Sequence, residues 1–216
     1  MSFSVIISQL AQGMLTTVSI FFLTLIFSMP LGFLVAFGRM SKNRVIRSIT
    51  QFYISVMRGT PLMLQLMVVY FFPWYLFKIQ IGSGWRFPAI ILGFAINYAA
   101  YFAEIYRSGI EAIPKGQHEA AKLLGYNKVQ TFMKIILPQV IKIILPSVTN
   151  EIITLVKDTS LARIIAAQEL TQRGYSFMKS AGLVWPLFYT GLFYLIFVGI
   201  LTLLFNYIEK RLDYFR

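Results

Sequence analysis

The sequence predicts an all-α membrane protein with five transmembrane helices. Of the 216 residues, 57% are hydrophobic and only 13% are charged, and the mean hydropathy is +0.69. These values lie far outside the usage of soluble proteins. The apolar residues also gather into stretches of about 20 residues or more, the length that an α-helix needs to cross roughly 30 Å of hydrocarbon. We expect a single transmembrane domain over residues 1–216, without an internal repeat.

Five stretches are long and apolar enough to span a bilayer. Prolines fall inside several of them, and a proline within a helix removes a backbone hydrogen bond and bends the chain. We therefore expect bent helices that enclose a vestibule. In chain order the predicted spans cover residues 14–37 (with Pro30), 49–76 (with Pro61), 88–110, 135–156 (with Pro138 and Pro146) and 183–208.

The distribution of Lys and Arg between the loops predicts the orientation, because cytoplasmic loops carry an excess of these residues. The loops after the first, third and fifth spans hold Arg39, Lys42, Arg44, Arg47, Lys115, Lys122, Lys128, Lys134, Lys210, Arg211 and Arg216. We expect the N-terminus outside and the C-terminus in the cytoplasm. The long loop 157–181 runs against this rule, since it would place four cations outside. The residues expected on the outer side are Lys78, Arg86, Lys157, Arg163, Arg173 and Lys179.

Several function classes are disfavoured by what the sequence lacks. The net charge of +12 comes from basic residues beside apolar runs, where they act as topology signals, so we expect no nucleic-acid partner. There is no cysteine and one histidine, His118, so neither a metal site nor a catalytic constellation is expected. No G-x-x-x-x-G-K-[ST] loop is present to bind ATP. A channel or gradient-driven transporter stays as an alternative to a subunit driven by another protein.

A polar segment between the third and fourth spans carries the most specific motif. Glu119, Ala120 and Ala121 are followed by Gly125, and after nine more residues comes Ile135-Ile136-Leu137-Pro138. We expect a short cytoplasmic helix over about 117–125, which Gly125 ends in a left-handed turn. The small alanines permit close approach of a partner, Leu123 and Leu124 supply apolar contacts, and Glu119 suits the first turn of a helix. The alternative is an ordinary amphipathic loop helix.

This spacing resembles the EAA signature of the membrane subunits of ATP-binding-cassette importers. Further segments resemble the polar amino acid permeases of that superfamily, namely Arg58-Gly59-Thr60-Pro61, residues 101–107, residues 113–117 and residues 157–161. The resemblance implies a type I importer fold in a bacterial cytoplasmic membrane and a coupling helix that docks into an ATPase. It also implies two ATPase subunits that bind the ATP, a second permease subunit, with a homodimer favoured, and an extracytoplasmic amino-acid-binding protein. This chain itself would hold no cofactor.

Polar residues within the spans predict a path for the substrate. On the third and fourth spans they recur at spacings of three and four residues, which places them on one face of each helix. Such stripes either line a water-filled cavity or form hydrogen bonds between helices, and both interpretations stay open. The predicted path residues are Thr60, Gln65, Asn97, Tyr98, Tyr101, Glu104, Asn150, Glu151, Thr154 and Asp158.

The deepest ionisable residues of these spans are acidic. A carboxylate binds a guanidinium group through two hydrogen bonds, so Glu104, Glu151 and Asp158 favour a basic amino acid: arginine first, then lysine or histidine. Glutamine or glutamate is the alternative substrate. Glu104 also has a simpler interpretation, because Arg107 lies three residues away on the same helix face and would neutralise it.

Overall fold

The computed structural model describes residues 2–212; Met1 and residues 213–216, with the predicted cytoplasmic cation Arg216, lie outside the described residues. Within 2–212 the regular structure is entirely helical. Four helices are long and apolar enough to cross a membrane, and a bent pair gives a fifth span if counted as one. The predicted class is therefore confirmed. The α-helices are α1 (Phe3–Arg39), α2 (Arg44–Gly59), α3 (Leu62–Phe77), α4 (Arg86–Glu111), α5 (Lys115–Leu123), α6 (Lys128–Gln130), α7 (Leu137–Asp158), α8 (Leu170–Ala181) and α9 (Trp185–Leu212).

The first helix begins much earlier than residue 14, where the predicted span starts. Its first turns pack against α8 in a separate apolar cluster, in which Ile6 and Leu10 contact Leu170 and Phe177. This contact buries one face of the early part of α1, which carries too many polar residues to be recognised as a membrane span. Pro30 lies inside α1 without ending it.

The second predicted span is not one helix. It breaks into α2 and α3, whose axes differ in direction by 110°. Thr60 adopts an extended backbone conformation, with φ −122° and ψ 148°, as expected of a residue that precedes a proline. Pro61 has no N–H group to continue the helical hydrogen bonds. The bend expected at Pro61 is thus a complete break between two helices.

The fourth predicted span is the middle part of a longer, continuous helical stretch, residues 128–165. It begins with α6, continues through a π-helical segment, Thr131–Ile136, and then through α7 to a 3-10 segment, Thr159–Ile165. Pro138 is the second residue after the π-helical segment and cannot donate a helical hydrogen bond. Short π-helical segments of this kind occur as bulges within longer α-helices.

Helix α4 lies at the centre and packs against α1, α2, α3 and α7. The approach to α1 is very close at Gly32, where an added Cβ would lie 2.8 Å from the Phe102 Cβ. The main apolar core surrounds this contact and includes Phe21, Phe94 and Leu155. In contrast, α9 exposes most of its apolar surface, which suits contact with lipid.

The long loop after α7 contains a helix, α8, that was not predicted from the sequence. Glu169 begins α8 by accepting hydrogen bonds from the N–H groups of Thr171 (2.7 Å) and Gln172 (2.6 Å). Its side chain is fully buried, and burial raises the pKa of this carboxyl while the two N–H groups oppose the rise. Thr17 of α1 accepts a bond from the Leu170 N–H at 3.2 Å, so α8 is fixed to the membrane-spanning helices.

Candidate functional site

The segment predicted to dock an ATPase forms α5, which begins and ends two residues before the predicted range of 117–125. Gly125 has a φ of +80°. Its N–H donates to the Lys122 carbonyl at 3.1 Å, and the Tyr126 N–H donates to the Ala121 carbonyl at 3.0 Å. These two bonds form a Schellman turn. Nothing lies within 4 Å of a Cβ added at Gly125, so the requirement for glycine comes from the backbone conformation.

The exposed face of α5 is apolar at its end. Leu123 is 89% exposed and Leu124 is 75% exposed, and Glu119 and Ala120 are exposed beside them. Large apolar side chains left open in this way mark a surface that contacts another protein or the membrane. Ala121 differs, because it is 1% exposed. Its small side chain serves the packing of α5 against this chain and does not reach a partner.

Two further exposed apolar residues lie beside α5, and the motif did not predict them. Val129 and Met133 are exposed and belong to α6 and the adjoining π-helical segment, against which α5 packs. The sequence did contain a signal for the start of α6, since Asn127 and Gln130 form a capping box with bonds of 2.9 and 3.0 Å. We call the set Leu123, Leu124, Val129 and Met133 the docking patch.

Three of the predicted path residues meet at the break between α2 and α3. The carbonyl of Met57 would normally bond the N–H four residues later, and Pro61 has none. Gln65 and Asn97 each donate to this carbonyl at 3.0 Å, and they bond each other at 2.9 Å. Gln65 also donates to the Thr60 Oγ1 at 2.7 Å. These contacts match the second interpretation of the polar stripe, hydrogen bonding within the bundle.

Glu104 is the centre of an ionic cluster. Arg107 bonds both of its oxygens, at 2.7 and 3.2 Å, while Arg39 and Arg58 each lie 4.0 Å away. The simpler interpretation of Glu104 therefore fits the geometry. A polar cavity of about 200 Å³ opens beside the cluster and is lined by Arg39, Gln51, Ile54, Ser55, Arg58 and Glu104.

The acidic residues of α7 have a different environment. The Tyr98 hydroxyl donates to Asp158 at 2.7 Å, which ties α4 to the end of α7. Glu151 lies two helical turns before Asp158 on the same face and is partly exposed. Within residues 2–212 its carboxylate accepts no hydrogen bond and forms no ion pair. Glu151 is therefore the predicted path acid that is available to a ligand.

Two of the remaining predicted path residues flank Glu151 on α7. Asn150 and Thr154 are exposed on α7, and the Thr154 hydroxyl bonds the Asn150 carbonyl at 2.9 Å. Tyr101 holds the Arg58 guanidinium over its ring at 5.2 Å. The ten residues thus divide into four groups. They are a structural group at the helix break (Thr60, Gln65 and Asn97), an ionic cluster at Glu104 with Tyr101 against Arg58, the hydrogen bond between buried Tyr98 and Asp158, and an open polar face on α7 (Asn150, Glu151 and Thr154).

The chain is similar to known transport proteins over nearly its whole length. A family model described as binding-protein-dependent transport system inner membrane component matches residues 28–214. The arginine transport system permease of Bacillus subtilis (strain 168) is 37% identical over 216 residues, which cover 98% of this chain and 97% of the relative. A Rickettsia bellii (strain RML369-C) protein, whose name describes a glutamine transport system permease, is 36% identical over 97% of this chain and 95% of its own length.

A solved structure supports the same comparison. It is described as an amino acid ABC transporter with histidines and aligns with a TM-score of 0.85 at 30% identity. The alignment covers 98% of this chain and 99% of the chain in that structure.

Proposed function

Because the chain belongs to the family of binding-protein-dependent transport system inner membrane components, we propose that it imports a basic amino acid, with arginine preferred. It is a permease subunit of an ATP-binding-cassette importer for amino acids and not an enzyme. Its type I fold implies ATPase subunits and a second permease subunit. The proposed assembly has two copies of this chain, two ATPase subunits on the cytoplasmic side and an amino-acid-binding protein outside.

The docking patch is the proposed contact with the ATPase. It combines exposed apolar residues with a helix whose end is fixed by Gly125, and a rigid, apolar projection is suited to transmitting force between subunits. The orientation of the chain in the membrane follows from this proposal, because the ATPase subunits lie in the cytoplasm and the docking patch must face them. The N-terminus is then outside and α9 ends in the cytoplasm.

The environment of Glu151 is the observation that favours a basic substrate. A carboxylate without a hydrogen bond or an ion pair in a membrane-spanning helix is costly unless it meets water or a cationic ligand. A guanidinium supplies two parallel hydrogen bonds to such a group. Asp158, whose carboxylate also accepts the Tyr98 hydroxyl, lies further along the same face. Glu104 adds little to the preference, because Arg107 already occupies both of its oxygens.

Glutamine is the second candidate, since several relatives are named for glutamine transport. The exposed amide of Asn150 and the hydroxyl of Thr154 would suit a neutral polar side chain, which needs donors and acceptors but no charge. Lysine and histidine follow arginine among the basic substrates.

Glu151→Gln tests the choice of substrate. The change keeps the size of the side chain and removes the charge, and a charge-assisted hydrogen bond contributes about 1.5 to 3 kcal/mol, so arginine uptake should fall roughly tenfold or more. Glutamine uptake should change much less. Initial uptake of both labelled amino acids would be measured in vesicles that contain the assembled transporter.

Glu209→Gln is the matched control, since it makes the same change on α9. The Thr149 hydroxyl donates to Glu209 at 3.2 Å, and an amide oxygen can accept the same bond. Its arginine uptake should equal that of the unmodified transporter. Unchanged uptake of both amino acids by Glu151→Gln would remove the support for a basic substrate.

A further inference from the structure

One end of the molecule carries an excess of cations. Here α3 ends and α1, α4 and α9 begin, and α8 packs over the first turns of α1. Phe3 of α1 stacks on Trp185 of α9 with ring centroids 5.4 Å apart, which fixes these elements together. In the proposed orientation this end faces outward. Its cations, which we call the outer basic face, are Lys78, Arg86, Lys157, Arg163, Arg173 and Lys179.

Carboxylates do not neutralise this face within the described part of the chain. The two acids near it are Glu169, which is fully buried and bonds the start of α8, and Asp158, which accepts the Tyr98 hydroxyl. Within residues 2–212 none of the six cations forms an ion pair with a carboxylate. Lys78, Lys157, Arg163 and Lys179 are exposed and present their charge to solvent, whereas Arg86 and Arg173 are half-buried.

Aromatic rings hold two of the cations in place. The Arg163 guanidinium lies 5.8 Å from the ring centre of Tyr175 on α8. The Lys78 ammonium lies 5.4 Å from the ring of Trp74 and 5.7 Å from that of Tyr75. A cation–π contact positions a charge without cancelling it. Arginine and aromatic residues are also enriched in protein–protein interfaces.

We propose that the outer basic face binds an acidic surface of the extracytoplasmic binding protein and steers its approach. This inference rests on the proposed function, because it needs both the outward orientation and that partner. Complementary charge raises the rate and specificity of association. It also accounts for an anomaly of the sequence: loop 157–181 keeps four cations on the side where the orientation rule disfavours them.

The test replaces three exposed cations of this face with glutamine: Lys78→Gln, Arg163→Gln and Lys179→Gln in one chain. The assembled transporter would be placed in phosphatidylcholine nanodiscs, and its ATPase activity measured against the concentration of the purified amino-acid-binding protein. The concentration for half-maximal stimulation should rise about tenfold, since each exposed charge contributes modestly. The maximal rate and the basal rate should not change.

The matched control removes three exposed cations from the opposite end: Lys42→Gln, Arg44→Gln and Lys210→Gln. Its half-maximal concentration should equal that of the unmodified transporter. An equal shift in both variants, or no shift in the first, would overturn the outer basic face as a docking surface. Absence of stimulation in the unmodified transporter would instead count against the proposed function, and with it against any docking.

Ionic strength provides a measurement that needs no variant. Raising NaCl from about 50 mM to about 300 mM shortens the screening length from roughly 14 Å to under 6 Å. The half-maximal concentration of binding protein should then rise for the unmodified transporter and rise less for the triple variant, which keeps three of the six cations. A shift that appears only in nanodiscs with anionic phosphatidylglycerol would show that the cations bind lipid headgroups, and would overturn the proposal.

Discussion

Single glycines determine how closely the membrane helices approach each other. At Gly32 an added Cβ would lie 2.9 Å from the Ala99 carbonyl oxygen and 2.8 Å from the Phe102 Cβ. Both atoms belong to or adjoin the α4 backbone, so they cannot move as the end of a flexible side chain does. The contact between α1 and α4, on which the central position of α4 depends, has no room for a methyl group.

Gly32→Ala should therefore separate α1 from α4. Overpacking of this kind typically lowers the free energy of unfolding by about 1 to 3 kcal/mol, and the thermal midpoint of the detergent-solubilised protein should fall. Gly199→Ala is the control, because a Cβ there meets nothing within 4 Å and alanine favours the helix by up to about 1 kcal/mol. Equal midpoints for the two variants would contradict the close packing.

At this scale the sequence predicted side-chain pairs within one helix better than pairs between helices. Glu104 and Arg107 share a face by spacing alone, and they pair in the structure. The bonds from Gln65 and Asn97 to the Met57 carbonyl depend on how α4 crosses the helix break. The spacing of residues along one helix does not show how two helices cross. Gln65 and Asn97 were therefore also compatible with a place in the substrate path.

The helix boundaries in the structure differ from the predicted ones where tertiary contacts or a proline determine them. The break at Pro61 separates two helices that composition alone joins, and the early part of α1 packs one apolar face against α8. Helix α8 itself is amphipathic and too short to span a bilayer, so hydropathy does not report it. Its start depends on Glu169, whose role as a helix cap is visible only when its two N–H partners are known.

The end of α5 provides a prediction about coupling. Gly125→Val places a β-branched residue at a φ of +80°, a conformation that such residues adopt only with strain, so the turn within the docking patch should be displaced. The ATPase should copurify poorly and uptake should fall severalfold, with membrane insertion intact. Gly125→Asn is the control, because asparagine tolerates the left-handed conformation. Full copurification of the ATPase with the valine variant would contradict the docking assignment.

The overall class was predictable because composition averages over the whole chain. The exposed apolar surface of α1, α3 and α9 has no counterpart in a soluble protein, and lipid or other subunits must cover it. The charge on the two ends was harder to interpret. Cations on the loops after α1 and α4 act as orientation signals, whereas those near α8 sit on an outward surface for which docking is the proposed use.

Cysteine labelling tests the orientation on which both proposals depend. The native sequence contains no cysteine, so a single introduced thiol gives an unambiguous signal. Ser83 is exposed in the short 3-10 turn before α4, and Lys128 is exposed at the start of α6. Lys128 is preferred to the neighbouring Asn127, whose side chain caps α6. Ser83→Cys should react with a membrane-impermeant maleimide added to intact cells, and Lys128→Cys should react only after the membrane is opened. The reverse pattern would place the outer basic face in the cytoplasm, where it could not meet a binding protein, and would put the docking patch out of reach of an ATPase.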